Sequence, residues 1–289
     1  MSAEARDSRS GRLLVCATPI GNLGDVTLRV LEALAECDVI MAEDTRVTRK
    51  LLSRYDIHTR CESFNANDAE RKTPKVLARI EGGETVALVS DAGTPGISDP
   101  GALLVDAALE RGLAVEVLPG PSAIITALVA SGLPTGSFYF GGFLPRKPGA
   151  CRRALGAVAG LEATLVFYES PRRAAATAEL VAEVLPGRRA AVARELTKVH
   201  EEVIRGTTEE IAAILADRDE IKGEVVLLIG PPAGSPEDLD DAVIARRVQG
   251  HMRLGMSRRD AAAETAKEMG ISRNRAYEAS LKAPPTLDA

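Results

Sequence analysis

Two short loops of small and polar residues have the composition of a ligand site. Residues 90–96 read S-D-A-G-T-P-G and follow an apolar run of β-formers at 86–89, which is typical of a buried strand. Residues 119–122 read P-G-P-S and follow a second strand-like run at 114–118. Loops at the carboxyl ends of parallel strands bind ligands in open α/β sheets. Both loops therefore predict a binding site in which Asp91 is a fixed acceptor, with a plain βα turn as the alternative for the first.

Charged side chains follow another predicted strand. Residues 43–46 read E-D-T-R after a strand at 38–42, and they could hold the ribose and phosphate of an RNA. They could equally begin a helix, because acidic side chains are favoured at the positive end of the helix dipole. His58, His200 and His251 are isolated in the sequence, which favours surface or packing roles for them.

The elements that would position these loops alternate between strand and helix, which predicts parallel sheets with right-handed crossovers. The segment S-G-L-P-T-G-S at 131–137 is rich in turn-forming residues and predicts a boundary. A strand at 138–143 then begins a second series. We therefore predict an α/β protein with an N-terminal domain at 13–132 and a C-terminal domain at 133–230. The cleft between two such domains is a common place for a cofactor.

A basic helical segment follows the second series. Residues 231–241 have the composition of a linker, and from 246 to 282 nine Lys and Arg residues oppose four acidic ones. Residues 257–281 have the spacing of a helix-turn-helix, so 242–289 is predicted to be a small helical tail. Its arginines could contact RNA phosphates, or they could form the solvated face of a helical hairpin. These arginines are Arg258, Arg259, Arg273 and Arg275.

Composition narrows the classes of function. The 289 residues are 45% hydrophobic, enough for a sizeable core, and the net charge of −5 does not by itself indicate nucleic-acid binding. No G-x-G-x-x-G or G-x-x-x-x-G-K-[ST] motif occurs, which disfavours dinucleotide and ATP sites. The four cysteines are scattered without a C-x-x-C pair, so we expect no metal site and a cytoplasmic protein with reduced thiols. Residues 1–12 are predicted to be a flexible tail without a secretory signal, and no apolar run is long enough for a membrane span.

Several motifs carry a resemblance to a known family. S-D-A-G-T-P-G-I-S-D-P-G at 90–101 and L-P-G-P-S-A at 118–123 resemble the tetrapyrrole methylases, which use S-adenosylmethionine. Over residues 13–230 the chain is more narrowly similar to the ribosomal RNA small subunit methyltransferase I branch of that family. The motifs behind this narrower similarity are A-T-P-I-G-N-L-G-D at 17–25, A-E-D-T-R at 42–46, F-Y-E-S-P-R-R at 167–173 and A-R-E-L-T-K at 193–198.

The resemblance implies a two-domain tetrapyrrole methylase-like fold with a cleft between the domains, and 2′-O-methylation of a cytidine in the decoding region of 16S rRNA. It also implies a homodimer. A 2′-hydroxyl is a poor nucleophile that a base or a polarising cation would help, and Glu169, Glu195 and Lys198 are the candidates. Arg46 joins the four tail arginines as a candidate RNA contact. The positions that match the family's donor-binding loops are Asp91, Ala92, Gly93, Thr94, Ser122, Ala123, Phe167 and Tyr168.

Two other functions stay open at this point. The same fold could methylate a tetrapyrrole or a diphthine-type protein side chain, although the basic tail and the rRNA-type motifs argue against that substrate. Outside the enzymes, the chain could be a helix-turn-helix regulator whose α/β part senses a ligand. Such a regulator would bind duplex DNA in a sequence-specific way and would turn over no substrate.

Overall fold

The computed structural model describes residues 11–232, 241–269 and 271–282. They fall into two compact units that divide between residues 231 and 232. Most of the tail predicted at 1–12 and of the linker predicted at 231–241 lies outside the described residues. The last residue of each segment lies in secondary structure: Arg12 begins a strand and Asp241 begins a helix.

Five strands and five helices alternate in the first part of the larger unit. The strands are β1 (Arg12–Cys16), β2 (Val39–Ala42), β3 (Cys61–Ser63), β4 (Thr85–Val89) and β5 (Ala114–Leu118), and the helices are α1 (Leu28–Glu36), α2 (Thr45–Arg54), α3 (Ala69–Glu81), α4 (Gly101–Glu110) and α5 (Ala123–Ser131). The strands pair in the order β3-β2-β4-β1-β5, and every pair is parallel. The predicted parallel sheet is confirmed here, so the carboxyl ends of its strands lie along one edge.

A second five-stranded sheet follows. Its elements are β6 (Phe138–Phe143), α6 (Pro148–Val158), β7 (Thr164–Glu169), α7 (Ala174–Val184), β8 (Arg189–Arg194), β9 (Glu202–Thr207), α8 (Thr208–Ala216) and β10 (Val225–Ile229). The strand order is β6-β7-β10-β8-β9, and only β6 and β7 pair in parallel. The prediction of parallel strands is wrong for this sheet. The seven-residue connection 195–201 between β8 and β9 is too short for a parallel crossover, which needs a dozen or more residues.

The central strands of the first sheet, β2, β4 and β1, are buried on both faces. Leu13 and Val15 of β1 pack into one apolar cluster, and Leu14 and Cys16 pack into another on the opposite face. This alternation follows from the two-residue period of a strand, and it explains why the strands read as continuous apolar runs.

Helix α5 joins the two sheets into one unit. Its residues Ala127 and Leu128 pack with Val226 and Leu228 of β10, in a cluster that also contains Ile20 from the loop after β1. The other face of the second sheet is covered by α6, α7 and α8. The loops after β1 and β4 therefore lie beside the second sheet.

The smaller unit is a group of three helices, α9 (Asp241–Arg253), α10 (Arg258–Met269) and α11 (Arg273–Lys282). Ile244, Val248, Ala262 and Ala276 belong to its apolar core. Ser257 accepts a hydrogen bond from the Asp260 amide and so begins α10. Among the described residues, no helix is both long and apolar enough to cross a membrane.

Candidate active site

A cleft of about 370 Å³ lies between the carboxyl edge of the first sheet and the second sheet. The predicted loop at 90–94 and the start of α5 form one wall. The turn after β7 and the residues that lead into β10 form the other. The residues that line the cleft include Ile20, Glu43, Asp91, Ala92, Gly93, Thr94, Asp99, Ser122, Ala123, Phe143, Tyr168, Glu169, Gly223 and Glu224.

The loop after β4 is held against the loop after β1. The Thr18 amide donates to the Gly93 carbonyl at 2.8 Å, and the Gly93 amide donates back to the Thr18 carbonyl at 3.0 Å. Gly93 has φ +79°, which favours glycine at this position. The amides of Ala92 and Thr94 donate to no other described residue, so they are available to a ligand in the cleft.

The second predicted loop ends in a helix cap. The Ser122 hydroxyl accepts from the Ile125 amide at 3.5 Å, and both Ser122 and Ala123 line the cleft. A side chain at Gly120 would come within 2.9 Å of the Ala17 Cβ, so glycine lets this loop pack closely on the end of β1. Six of the eight predicted donor-binding positions, those at 91–94 and 122–123, thus line one wall.

The two remaining predicted positions, Phe167 and Tyr168, point to opposite sides of β7. Tyr168 lines the cleft, and its ring lies 4.9 Å from the Phe140 ring and 5.6 Å from the Phe143 ring. Phe167 is 3% exposed and packs in the core on the other face, so its side chain does not line the cleft. Successive strand residues alternate in direction, which separates a pair that is adjacent in the motif.

Carboxylates dominate the charge of the cleft. Its lining contains no Lys, Arg or His, but it contains five acidic side chains. Glu169 is paired with Arg173 at 3.2 Å and Glu224 with Lys198 at 3.4 Å. The remaining three carboxylates, on Glu43, Asp91 and Asp99, have no ion pair within the described part of the chain.

Glu43 and Asp91 are joined through backbone amides. The Asp91 amide donates to the Glu43 carboxylate at 3.2 Å, and the Asp44 amide donates to the Asp91 carboxylate at 2.9 Å. Burial raises the pKa of both groups, and neighbouring carboxylates, including Asp91 itself beside Glu43, raise them further. Two carboxylates that have no ion-pair partner among the described residues, in a partly desolvated wall, favour a cationic ligand.

The sequence leaves two interpretations of residues 43–46, a binding segment and the beginning of a helix, and different residues of the segment fit each of them. Glu43 lines the cleft, whereas Asp44 is the N-cap of α2 and accepts from the Arg46 amide at 2.8 Å. The Arg46 guanidinium pairs with the Asp44 carboxylate at 2.6 Å, and hydrogen bonds from Arg46 lower the pKa of Asp44 to about 2. Arg46 is exposed beside the cleft and does not line it.

Glu169, the first candidate for catalysis, is buried at the end of β7. Its carboxylate accepts from the Ser170 amide at 2.7 Å and from the Thr177 hydroxyl at 2.6 Å, and it pairs with Arg173. All of these partners hold the turn after β7 in place. Because its oxygen atoms are engaged, Glu169 has the contacts of a positioning residue.

Glu195 and Lys198 lie together in the turn between β8 and β9. The Lys198 ammonium contacts the Glu195 carboxylate at 2.8 Å, and that carboxylate also accepts from the Glu224 amide at 3.1 Å. The hydrogen bond from Lys198 lowers the pKa of Glu195. Burial lowers the pKa of Lys198, but hydrogen bonding and charge from Glu195 and Glu224 outweigh it and raise the pKa overall. Lys198 is therefore a charged ammonium beside the cleft and not a base.

Strained backbone fixes this pair. Glu195 has φ +51° and Thr197 has φ +65°, a conformation that is costly for residues other than glycine. Gly223, at φ +84°, faces the Glu195 side chain so closely that a Cβ would overlap its carboxylate. Gly223 and Glu224 were not predicted as site residues. Their proximity to Glu195 depends on the antiparallel pairing of β8 with β10, for which the sequence offers no local signal.

The four tail arginines lie at the beginnings of two helices in the smaller unit. Arg258 and Arg259 begin α10, and Arg273 and Arg275 lie in the first turn of α11. The first three are exposed, and Arg275 lies 3.9 Å from Asp241. Cations at these positions oppose the helix dipole, so helix stability does not explain them.

Metal ligands do not cluster in the part of the chain that the structure describes. No group of three or more His, Cys, Asp or Glu side chains there could hold a metal ion. The four cysteines are free thiols, and three of them are buried.

Comparisons with known proteins agree on one family. The family model described as tetrapyrrole (corrin/porphyrin) methylases matches residues 12–212. A ribosomal RNA small subunit methyltransferase I from Mesorhizobium japonicum is 44% identical over 95% of this chain and 92% of its own length. A protein with the same name from Mycobacterium bovis is 46% identical over 94% of this chain and 95% of its own.

A solved structure extends the similarity to the fold. The uroporphyrin-III C-methyltransferase of Thermus thermophilus, crystallised in complex with S-adenosylhomocysteine, superposes with a TM-score of 0.55. The match covers 76% of this chain and 97% of that one at 21% identity, a level that supports the common fold alone. The predicted α/β fold of the tetrapyrrole methylase type is thereby confirmed.

Proposed function

The chain belongs to the tetrapyrrole methylase family, and on that premise we propose that it is an S-adenosylmethionine-dependent rRNA methyltransferase. Its substrate is the 16S rRNA of the small ribosomal subunit, and the acceptor is the 2′-hydroxyl of a cytidine in the decoding region. The observation that carries the proposal is the cleft with its intact donor-loop motifs, in a chain that is 44–46% identical to rRNA methyltransferases over nearly its full length.

The cleft residues suit this methyl donor. When bound, S-adenosylmethionine supplies a methyl group made electrophilic by a sulfonium. The unpaired carboxylates of Glu43 and Asp91 complement a cationic compound, and the free amides of Ala92 and Thr94 can bind its polar groups. Tyr168 supplies an apolar ring on the opposite wall. Because the methyl group is already activated, the main contribution of these residues is placement, which can supply about 7–11 kcal/mol.

The three catalytic candidates divide by their contacts. Lys198 is a charged ammonium at the edge of the cleft, held by Glu195 and Glu224, so it suits stabilisation of negative charge on the attacking ribose oxygen. Glu195 fixes that ammonium, and Glu169 holds the turn after β7. We assign Lys198 the polarising role and the two glutamates positioning roles.

The remaining partners follow from the substrate. Arg46, Arg258, Arg259, Arg273 and Arg275 contact rRNA phosphates. The chain acts as a homodimer on assembled small subunits in the cytoplasm, without a metal ion. Arg258, Arg259 and Arg273 are exposed at helix starts, where the helix dipole disfavours cations, and they support the first statement.

The alternative substrates have weaker support. Tetrapyrrole methylation is the named activity of a structural neighbour at 21% identity, whereas the rRNA methyltransferases match at more than twice that identity. A diphthine synthase is likewise similar in fold at 15% identity. A ligand-sensing regulator would carry out no methyl transfer, so it would not account for a cleft that suits a methyl donor.

The decisive experiment offers one labelled donor to two acceptors. Purified protein and methyl-labelled S-adenosylmethionine are incubated with small ribosomal subunits from a strain that lacks the gene, or with a porphyrinoid. We expect label in the 16S rRNA, and mass spectrometry of RNA fragments should place it on one cytidine ribose. Label in the porphyrinoid alone would reject the rRNA assignment.

A further inference from the structure

Four cations in the second-sheet region have no intramolecular partner. Between residues 138 and 230, all of which the structure describes, every other Lys and Arg side chain makes a hydrogen bond or an ion pair. Arg152, for example, pairs with Glu183 at 2.8 Å, and Arg205 donates to a backbone carbonyl. The four exceptions, all exposed, are Arg146, Lys147, Arg153 and Arg172.

These cations belong to two segments that Arg173 ties together. The Arg173 guanidinium donates to the Leu144 carbonyl at 3.0 Å and to the Pro145 carbonyl at 3.2 Å, while it pairs with Glu169. The loop at 144–147 is thus fastened to the turn that contains Arg172. Arg153 lies on α6, the helix that begins directly after this loop, and its guanidinium lies 3.8 Å from the position that a Cβ on Gly149, in the first turn of that helix, would occupy.

Both segments start at the cleft. Phe143 and Pro171 line it, and Phe143 is 56% exposed. Arg146 and Lys147 follow Phe143 closely in the chain, Arg172 follows Pro171 directly, and Arg153 lies further on in α6, whereas the cleft lining itself contains five carboxylates and no cation. The arrangement is an acidic cleft with a basic margin on its second-sheet side.

We propose that Arg146, Lys147, Arg153 and Arg172 form a cationic rim that binds phosphates of the rRNA substrate beside the cleft. This inference rests on the proposed function. Exposed cations that are adjacent in the chain, such as Arg146 and Lys147, repel each other, and a polyanion that contacts both relieves that repulsion. The buried Glu169–Arg173 contact fixes the segments that carry them. Phosphates on the rim would leave the cleft to a single ribose, because the carboxylates inside repel phosphate groups.

The test compares two double variants of the full-length protein that remove equal charge. Arg146→Gln/Lys147→Gln removes rim cations, whereas Arg111→Gln/Arg152→Gln removes exposed arginines that pair with Glu81 and Glu183. Binding to undermethylated small subunits and to a protein-free fragment of 16S rRNA is measured from low to high salt. Methylation kinetics with the same subunits and calorimetry with the donor complete the comparison.

We expect the rim variant to bind both RNA probes roughly tenfold more weakly at low salt, with the slope of log affinity against log salt reduced by about 1.4. The KM for subunits should rise while kcat and donor affinity stay at the parent values, and the paired-arginine variant should match the parent. Unchanged RNA affinity, or an equal loss in both variants, would overturn the rim. Weaker binding to subunits but not to protein-free RNA would point to an acidic ribosomal protein and also overturn it. If the parent itself fails to methylate subunits, the proposed function fails, whatever the variants bind.

Discussion

Gly223→Ala tests whether the cleft depends on the strained pair of Glu195 and Lys198. A Cβ at residue 223 would overlap the Glu195 carboxylate, and the φ of +84° is unfavourable for alanine. The overlap can be relieved only if Glu195 rotates away from Lys198 and from the Glu224 amide. The substitution therefore carries two costs, one from backbone strain and one from the lost contacts.

The two costs can be separated with a matched glycine. Gly187 has φ +68° and nothing within 4 Å of a built Cβ, so Gly187→Ala measures strain alone, about 1 kcal/mol. For Gly223→Ala we add about 2 kcal/mol for the hydrogen bonds of a charged, mostly buried carboxylate, which gives about 3 kcal/mol. At roughly 2–4 °C per kcal/mol, the melting temperature should fall by about 6–12 °C at residue 223 and by about 2–4 °C at residue 187.

Urea unfolding and methyl-transfer kinetics supply the readouts. In a Glu195→Ala background the side chain that the new methyl group meets is absent, so Gly223→Ala should cost only its strain, about 1 kcal/mol. The kcat should fall in Gly223→Ala, because Lys198 loses the carboxylate that holds it, but not in Gly187→Ala. Equal destabilisation by the two glycine substitutions, or full additivity with Glu195→Ala, would refute the reasoning.

Four further substitutions probe the cleft wall that contains Glu43, the second sheet and the two faces of β7. Glu43→Gln should weaken binding of the cationic donor about tenfold, as measured by calorimetry at pH 7. Because burial raises the pKa of Glu43, the parent should begin to lose donor affinity at a higher pH than an ordinary carboxylate would allow. The donor affinity of the variant should depend less on pH. Hydrogen bonds from two arginines lower the pKa of Glu202 to about 2. Its contribution to the stability of the fold is therefore present at neutral pH and is lost as the pH falls from about 4.3 towards 2. The urea midpoint of Glu202→Gln should depend less on pH over that range than the urea midpoint of the parent. Phe167→Leu should lower the free energy of unfolding in urea by about 1–2 kcal/mol and leave donor affinity unchanged. Tyr168→Leu, by contrast, should weaken donor binding. Weaker donor binding by a folded Phe167→Leu variant would contradict the placement of that ring in the core.

The first sheet could be predicted from the sequence because its signals are local. β1, β2 and β4 are short, mostly apolar runs, and the loops after them carry glycine, proline or a capping side chain, so the apolar pattern and the turn residues indicate the same strand ends. The start of α8 is a similar local signal, because the side chains of Thr207 and Glu210 cap each other's backbone amides in a capping box. The loops at 91–94 and 122–123 could be placed in one site because parallel strands bring their carboxyl ends to one edge.

The second sheet and its side of the cleft could not be predicted in the same way. The direction of β10 depends on its pairing with β7 and β8, which are far apart in the chain. Without that pairing, Glu224 has no reason to appear beside Glu195. Phe167 and Tyr168 are likewise adjacent in their motif. Because side chains alternate along β7, Tyr168 faces the cleft and Phe167 faces the core.

The distribution of charge in this protein is compatible with the proposed RNA substrate, although the net charge is negative. Attraction over a Debye length of about 8 Å depends on local groups and not on the total of −5. The acidic groups line a cleft that suits a cationic donor, and unpartnered cations lie outside it on the loops after β6 and β7. An RNA held by its phosphates on those loops can offer the cleft a neutral ribose and base, but not its backbone. If the proposed function holds, the nucleotide to be methylated leaves its stack to reach the cleft, and an RNA segment that is already unpaired costs least to bind.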